Sequence, residues 1–127
     1  MDISKDYIEM CSKAQEIQGL KNKYINKDNK DFFYVIDKDG IYTPCIKSKF
    51  IYVSYGKIVW LPRQDQLQEI TELTPLGCVR LLRHTVEEVR EGEYDKFISM
   101  ERIWLAIVMD CIYDKKWNPE IKEWEKE

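Results

Sequence analysis

The side chains best suited to recognition chemistry lie together at Trp60-Leu61-Pro62-Arg63-Gln64-Asp65-Gln66-Leu67, where an aromatic strand end passes through a proline into a polar helix start. An indole offers a stacking face for a planar ring, while guanidinium and carboxamide groups read its polar edges. Trp60, with Tyr52 and Tyr55 just before it, is the expected stacking surface, and Arg63 and Gln64 are the expected polar readers. The plainer alternative is that Trp60 and Leu61 end a core strand and that residues 63–66 form an exposed first helical turn, with Asp65 near the positive end of the helix dipole. Arg80, Arg83 and Arg90 recur at helical spacing as a second candidate anion-binding face. Guanidinium forks match phosphate oxygens, yet Glu87 lies within one turn of both Arg83 and Arg90 and would neutralise that face as ordinary ion pairs.

Catalytic sets are hard to assemble from this chain. His84 is the only histidine, which removes multi-histidine metal sites and leaves a nucleophile–base pair only if a distant thiol or hydroxyl meets it in space. Cys78 lies six residues before it, about 240° around a helix axis. Arg80 and Glu88 flank His84 one turn away on each side, as on a solvated face. The acids Asp37/Asp39 and Glu87/Glu88 are adjacent charges on a turn and a helix, not a separated pair in a cleft. The glycine-rich, P-loop, H-E-x-x-H and G-x-S-x-G signatures are all missing. The expectation is a binding protein, not an enzyme, without cofactor or metal.

These residues need elements to position them. Ile3, Tyr7, Met10, Ala14 and Ile17 alternate in steps of four and three, which predicts an amphipathic helix with Ser4 as N-cap and Gly19 as its C′ stop. Residues 21–31, rich in Lys, Asn and Asp, read as a loop. Residues 32–37 predict a strand, Lys38-Asp39-Gly40 a turn, and 41–46 a partner strand confined to an edge by Pro44. Residues 50–54 and 57–61 flank Tyr55-Gly56 as a second hairpin.

Helical periodicity returns after Leu61. Pro62 suits a first turn leading residues 63–72, and Thr74-Pro75 starts another helix whose buried face is expected to be Leu76, Val79, Leu82, Val86 and Val89. Ser99 caps a long helix in which Met100, Ile103, Trp104, Ile107, Val108, Cys111 and Ile112 form a stripe widened by Leu105, Ala106 and Met109. Such a helix is central in the domain or shared with a second subunit. Asn118-Pro119 predicts a short terminal helix, with Trp124 packing back.

The chain of 127 residues fits one domain, large enough to bury roughly two-thirds of its unfolded surface. The expected class is α+β: an N-terminal helix, a small antiparallel sheet of three or four strands, and three or four C-terminal helices. A net charge of −3 opposes duplex-DNA binding. Cys11, Cys45, Cys78 and Cys111 contain no C-x-x-C, and Cys11 and Cys111 fall on apolar helical faces, so buried free thiols are expected. The start carries no apolar signal segment, and the apolar run 103–109 is too short to span a bilayer. A cytoplasmic protein is expected.

The segments Trp60-Leu61-Pro62-Arg63-Gln64-Asp65-Gln66-Leu67-Gln68-Glu69 and Ser99-Met100-Glu101-Arg102-Ile103-Trp104-Leu105-Ala106-Ile107-Val108-Met109 resemble a small phage and prophage protein family of Gram-positive bacteria. Asp6-Tyr7-Ile8-Glu9-Met10-Cys11 and residues 113–117 are similar to it too. The resemblance implies a phage setting and no catalytic residues. In size and setting the chain also resembles the anti-Thoeris proteins, which sequester cyclic ADP-ribose-type signals. The function expected from this is non-enzymatic anti-defence: binding a nucleotide-derived immune signal through Trp60, Arg63, Gln64, Tyr52, Tyr55, Arg80 and Arg83, as a homodimer or higher homo-oligomer. The alternatives are a protein-interaction inhibitor of a host effector and an accessory factor for single-stranded nucleic acid.

Overall fold

In the computed structural model, which describes residues 1–24, 31–45, 57–88 and 99–127, Ser4 caps the first helix, α1 (Lys5–Lys13), by accepting the Tyr7 N–H at 3.2 Å. Ala14 leaves helical geometry, at φ −84° and ψ 75°, and splits the expected single helix into α1 and α2 (Gln15–Gln18). Tyr7, Met10, Ala14 and Ile17 are buried as their spacing predicts. Ile3, expected on that stripe, precedes the cap and is exposed. Gly19 ends α2 in right-handed geometry, φ −66°, so its conformational freedom is not what stops the helix. The expected loop after it opens with a further helical turn, α3 (Lys21–Tyr24).

The antiparallel sheet has the order β2-β1-β3, from β1 (Phe32–Ile36), β2 (Tyr42–Cys45) and β3 (Lys57–Leu61). The turn between β1 and β2 forms because the Asp37 carboxylate accepts the N–H groups of Asp39 and Ile41, both at 2.9 Å. Gly40 supplies the left-handed residue at φ 78°. Pro44 sits on the edge strand, where a missing N–H is tolerated. The expected strand at 50–54 lies outside the described residues.

A side chain also bonds to the backbone of β3. The Gln18 carboxamide accepts the Trp60 N–H at 2.8 Å and donates to the Trp60 carbonyl at 2.8 Å. Both backbone groups of this buried residue are thereby satisfied, and α2 is fixed to β3.

Helix α4 (Gln64–Ile70) begins one residue later than expected, with Arg63 as N-cap and Pro62 outside the helix. Tyr7 Oη donates to the Pro62 carbonyl at 2.6 Å, and Gln66 Oε1 accepts the Arg63 N–H at 2.9 Å. These two bonds hold the junction in extended geometry. Helix α5 (Pro75–Glu88) starts as expected, with Thr74 Oγ1 accepting the Gly77 N–H at 3.1 Å. Its orientation differs from expectation. Leu82 packs on the core as expected, but Leu76 and Val79 are 59% and 61% exposed, while Cys78 is buried and Leu81 packs on the core; Val89 and the Val86 side chain lie outside the described residues. The Thr71 hydroxyl meets Cys78 Sγ across the α4–α5 turn at 3.8 Å, which sets the inward side.

Helix α6 (Met100–Tyr113) is capped by Ser99 and is central, packing on α4 and on the C-terminal residues with Trp104, Leu105, Ile107, Val108 and Met109 buried. Cys111 and Ile112, expected to be buried, are exposed. The expected terminal helix is instead a hairpin, β4 (Lys115–Asn118) with β5 (Glu123–Lys126). The Asn118 carboxamide accepts the Glu120 N–H at 3.0 Å and folds the chain into a turn. Trp117 and Trp124 then stand opposite one another, ring centroids 5.1 Å apart. Trp124 does pack back, with Nε1 donating to the Met10 carbonyl at 2.9 Å.

The hairpin returns Glu127 to α6, where its N–H donates to the Asp114 carbonyl at 2.9 Å. Burial, then a shared hydrogen bond with the Glu127 carboxyl, pushes the Asp110 carboxyl up to about 6. An acid raised in this way binds its proton in the folded state at pH values where the unfolded chain has released it. Its contribution to stability therefore falls as pH rises from the ordinary aspartate range through about 6. Asp110→Asn is expected to raise the unfolding midpoint at about pH 8 and to leave it unchanged near pH 4, which a pair of thermal melts reads directly.

Candidate functional site

The Trp60 junction is built as a structural clamp. Trp60 is 0% exposed, so its ring offers no face to a ligand. The stacking role expected of it gives way to a packing role, because α1, α2 and α6 supply the apolar residues of the same core cluster. Arg63 is half-buried and committed: its guanidinium meets Asp31 at 3.2 Å and Asp65 at 3.0 Å. Asp31, whose side chain is 1% exposed, also accepts Gln66 Nε2 at 2.5 Å, and that amide reaches the Tyr24 carbonyl at 3.0 Å. Gln66, not Gln64, is the buried polar residue of the junction. It ties α3 and the start of β1 to α4.

Gln64 is half-buried in the first turn of α4, and Arg80 and Arg83 are exposed on α5. Tyr52, Tyr55 and Arg90 lie outside the described residues. Arg63→Ala is expected to lower stability by about 2 kcal/mol, because it strips a charge-assisted bond from an enclosed carboxylate. Urea unfolding measures that loss as a lower midpoint at unchanged slope.

A cleft of about 560 Å³ opens elsewhere, between α1 and the C-terminal hairpin. Glu9, Ser12 and Lys13 line it from α1, with Gln15 just after. Ile36 and Lys57, partners across β1 and β3, form its floor, and Lys115, Glu123 and Trp124 close it from the hairpin. The volume falls within the ordinary range for small-molecule sites. None of the five described residues expected to bind ligand lines it.

Its charges are unevenly paired. Glu123 meets Lys13 at 2.8 Å, Glu9 meets Lys122 at 3.2 Å, and Lys115 is bonded to Glu16. Burial pushes the Glu16 carboxyl up, but the bond and charge from Lys115 outweigh it and hold the group below its usual range. Lys57 has no carboxylate partner among the described residues; its Nζ donates to the Ser12 carbonyl at 2.5 Å. Burial and then the neighbouring Lys13 charge lower the Lys57 ammonium's pKa, with Glu123 opposing. Lys57 is exposed as a residue, so an anion beside it would chiefly offset the Lys13 repulsion.

No sequence motif marked this cleft. Glu9, Lys57 and Glu123 are far apart in the chain, and Asn118-Pro119, within the hairpin that joins them, predicts a helix. The only local signal was the alternation of tryptophan with charge in Lys116-Trp117-Asn118 and Glu123-Trp124-Glu125. Among the described residues no cluster of His, Cys, Asp or Glu is arranged to hold a metal. Cys11 and Cys78 are buried free thiols, and burial raises the Cys11 thiol so far that it stays protonated. His84 is exposed on α5, away from the cleft. No helix among the described residues is long and apolar enough to cross a membrane. No family model, curated protein or solved structure matches the chain.

Proposed function

We propose that this protein is a non-enzymatic binder that captures a nucleotide-derived signal in the cleft between α1 and the C-terminal hairpin. Lys57 carries the reading. It lines the cleft, its ammonium donating to a backbone carbonyl, with a pKa lowered by partial burial and by Lys13 and without a carboxylate bonded to it among the described residues. A phosphate is the natural partner for such a group, and Lys13 and Lys115 flank it as further cations. The Gln15 carboxamide offers a donor and an acceptor for a base edge, and Trp124 with Ile36 supplies the apolar part of the lining.

The cleft favours holding over turnover. Among the described residues its lining has no histidine and no thiol, and the one hydroxyl there, Ser12 Oγ, donates to the Glu9 carbonyl at 2.8 Å. The setting, a phage or prophage protein acting against immune signalling in the host cytoplasm, rests on the resemblance of the Trp60 and Ser99 segments to phage proteins. The ligand class expected from the sequence is kept, and its place moves from Trp60 and Arg63 to Lys57.

The test is recovery. The protein is mixed with cyclic dinucleotides, cyclic trinucleotides and cyclic ADP-ribose isomers, washed, denatured, and its ligand identified by mass. One compound returned intact in stoichiometric amount is the expected result. A compound returned altered would make the protein an enzyme, and an empty protein would remove the nucleotide reading.

A further inference from the structure

We infer that Glu123 is a specificity-determining residue of the cleft. Its carboxylate holds the place of a ligand phosphate beside Lys13, and an incoming anion must displace it to settle between Lys13 and Lys57. The inference rests on the anion-binding reading of the cleft and adds what selects the anion.

Three charged side chains meet at this point of the lining. Glu123 reaches from β5 to Lys13 of α1 at 2.8 Å. Lys57 comes from β3 and donates to the carbonyl of Ser12, the residue before Lys13. Lys57 senses both neighbours, since the Lys13 charge lowers its pKa and Glu123 opposes that. One carboxylate thus stands near two ammonium groups and is bonded to one of them. A phosphate presents oxygens of the same kind to an ammonium, so ligand and Glu123 compete for one place.

Displacing Glu123 costs little. The Lys13 and Glu123 side chains are 42% and 49% exposed, so water takes up the freed carboxylate. The hairpin stays docked without the pair: Trp124 Nε1 donates to the Met10 carbonyl at 2.9 Å, Lys122 meets Glu9 at 3.2 Å, and Lys115 is bonded to Glu16. Glu123 therefore adjusts binding and not folding. With it displaced, two ammonium groups face the ligand, and two neighbouring negative charges answer them best. A pyrophosphate group carries that pattern, whereas an uncharged ring has nothing to set against Glu123.

Glu123→Gln keeps the size of the side chain and removes its charge. Calorimetric titration of the full chain with inorganic pyrophosphate should show binding to the intact protein and about threefold or more tighter binding to Glu123→Gln, a gain that shrinks as salt is added. Glu120→Gln makes the same change of net charge at an exposed position outside the lining and should bind like the original. Without any ligand, NMR titration of the lysine side chains should show Lys57 losing its proton at lower pH in Glu123→Gln than in the intact protein. Equal unfolding midpoints show that each variant is folded. Pyrophosphate binding that tightens only in Glu123→Gln supports the inference even where no cyclic nucleotide is recovered, a result that would remove the nucleotide reading alone. Unchanged affinity in Glu123→Gln, equal tightening in Glu120→Gln, an unmoved Lys57 titration, or no pyrophosphate binding by either protein would each overturn it.

Discussion

Arg102→Met is expected to destabilise the protein by about 3–5 kcal/mol, the cost of leaving a buried charge without its partner. Arg102 is almost enclosed, and its guanidinium bonds Asp2 at 2.9 Å and Ser4 Oγ at 2.5 Å. Asp2 in turn accepts the Ser99 hydroxyl at 2.6 Å and the Ser4 N–H at 2.9 Å. One carboxylate and one guanidinium thereby join the N-caps of α1 and α6, two helices that each bury several core residues. Methionine keeps the bulk of the side chain but strands the Asp2 carboxylate, whose side chain is 8% exposed. The unfolding midpoint should fall by roughly 10 °C or more. Adding Asp2→Asn removes the stranded charge and should recover part of the loss, which a double-mutant cycle resolves.

The same carboxylate sets a pH limit. Burial acts to raise the Asp2 carboxyl, but the bonds from Ser4 and Ser99 and the charge of Arg102 outweigh it, so the group is held below the ordinary range. Its folded pKa is depressed, so its contribution is present above the unfolded value and is lost as pH falls through the folded one. Acid unfolding should therefore begin with the separation of the two capped helices.

Trp60→Ala is expected to cost about 3–5 kcal/mol, the range for emptying an aromatic site in a closed core. The ring is wholly enclosed, and Gln18 already locks the backbone on either side of it. Trp60→Phe should cost much less, about 1 kcal/mol, because the indole Nε1 is buried without an acceptor and its removal gives up no hydrogen bond. Chemical denaturation of both variants separates packing from contact. A ligand-contact tryptophan would instead give two stable variants that differ in binding.

What the sequence made legible was what is local. Ser4, Thr74 and Ser99 were readable as caps because each accepts an N–H three residues on. The Asp37 to Gly40 turn and the edge position of Pro44 followed from backbone chemistry carried within a few residues. The misreadings arose where one signal serves two structures. Asn118-Pro119 suits a helix start or a turn, and the Trp117 and Trp124 pairing across the strands decided for the turn. The apolar residues of α5 are spread round enough of the helix that Cys78, meeting Thr71, could turn Leu76 and Val79 outward.

The candidate site was the least legible part because it is tertiary throughout. Arg63 is expected with Gln64 as a polar reader, but Asp31, about thirty residues earlier, binds it together with Gln66, which the local pattern does not single out. Lys57 looked like the unremarkable first residue of a strand. Only the return of the hairpin onto α1 makes it the floor of a cleft.

The most direct test is thermal unfolding of the intact protein and of Lys57→Gln, side by side, against the same panel of cyclic nucleotides and cyclic ADP-ribose isomers. A bound compound at about 100 times its dissociation constant adds about 2.7 kcal/mol, several degrees for a chain of this length. The account predicts that one compound gives this shift to the intact protein and little or none to Lys57→Gln, while the two melt alike without it. An equal shift in both, or no shift from any compound, would contradict it.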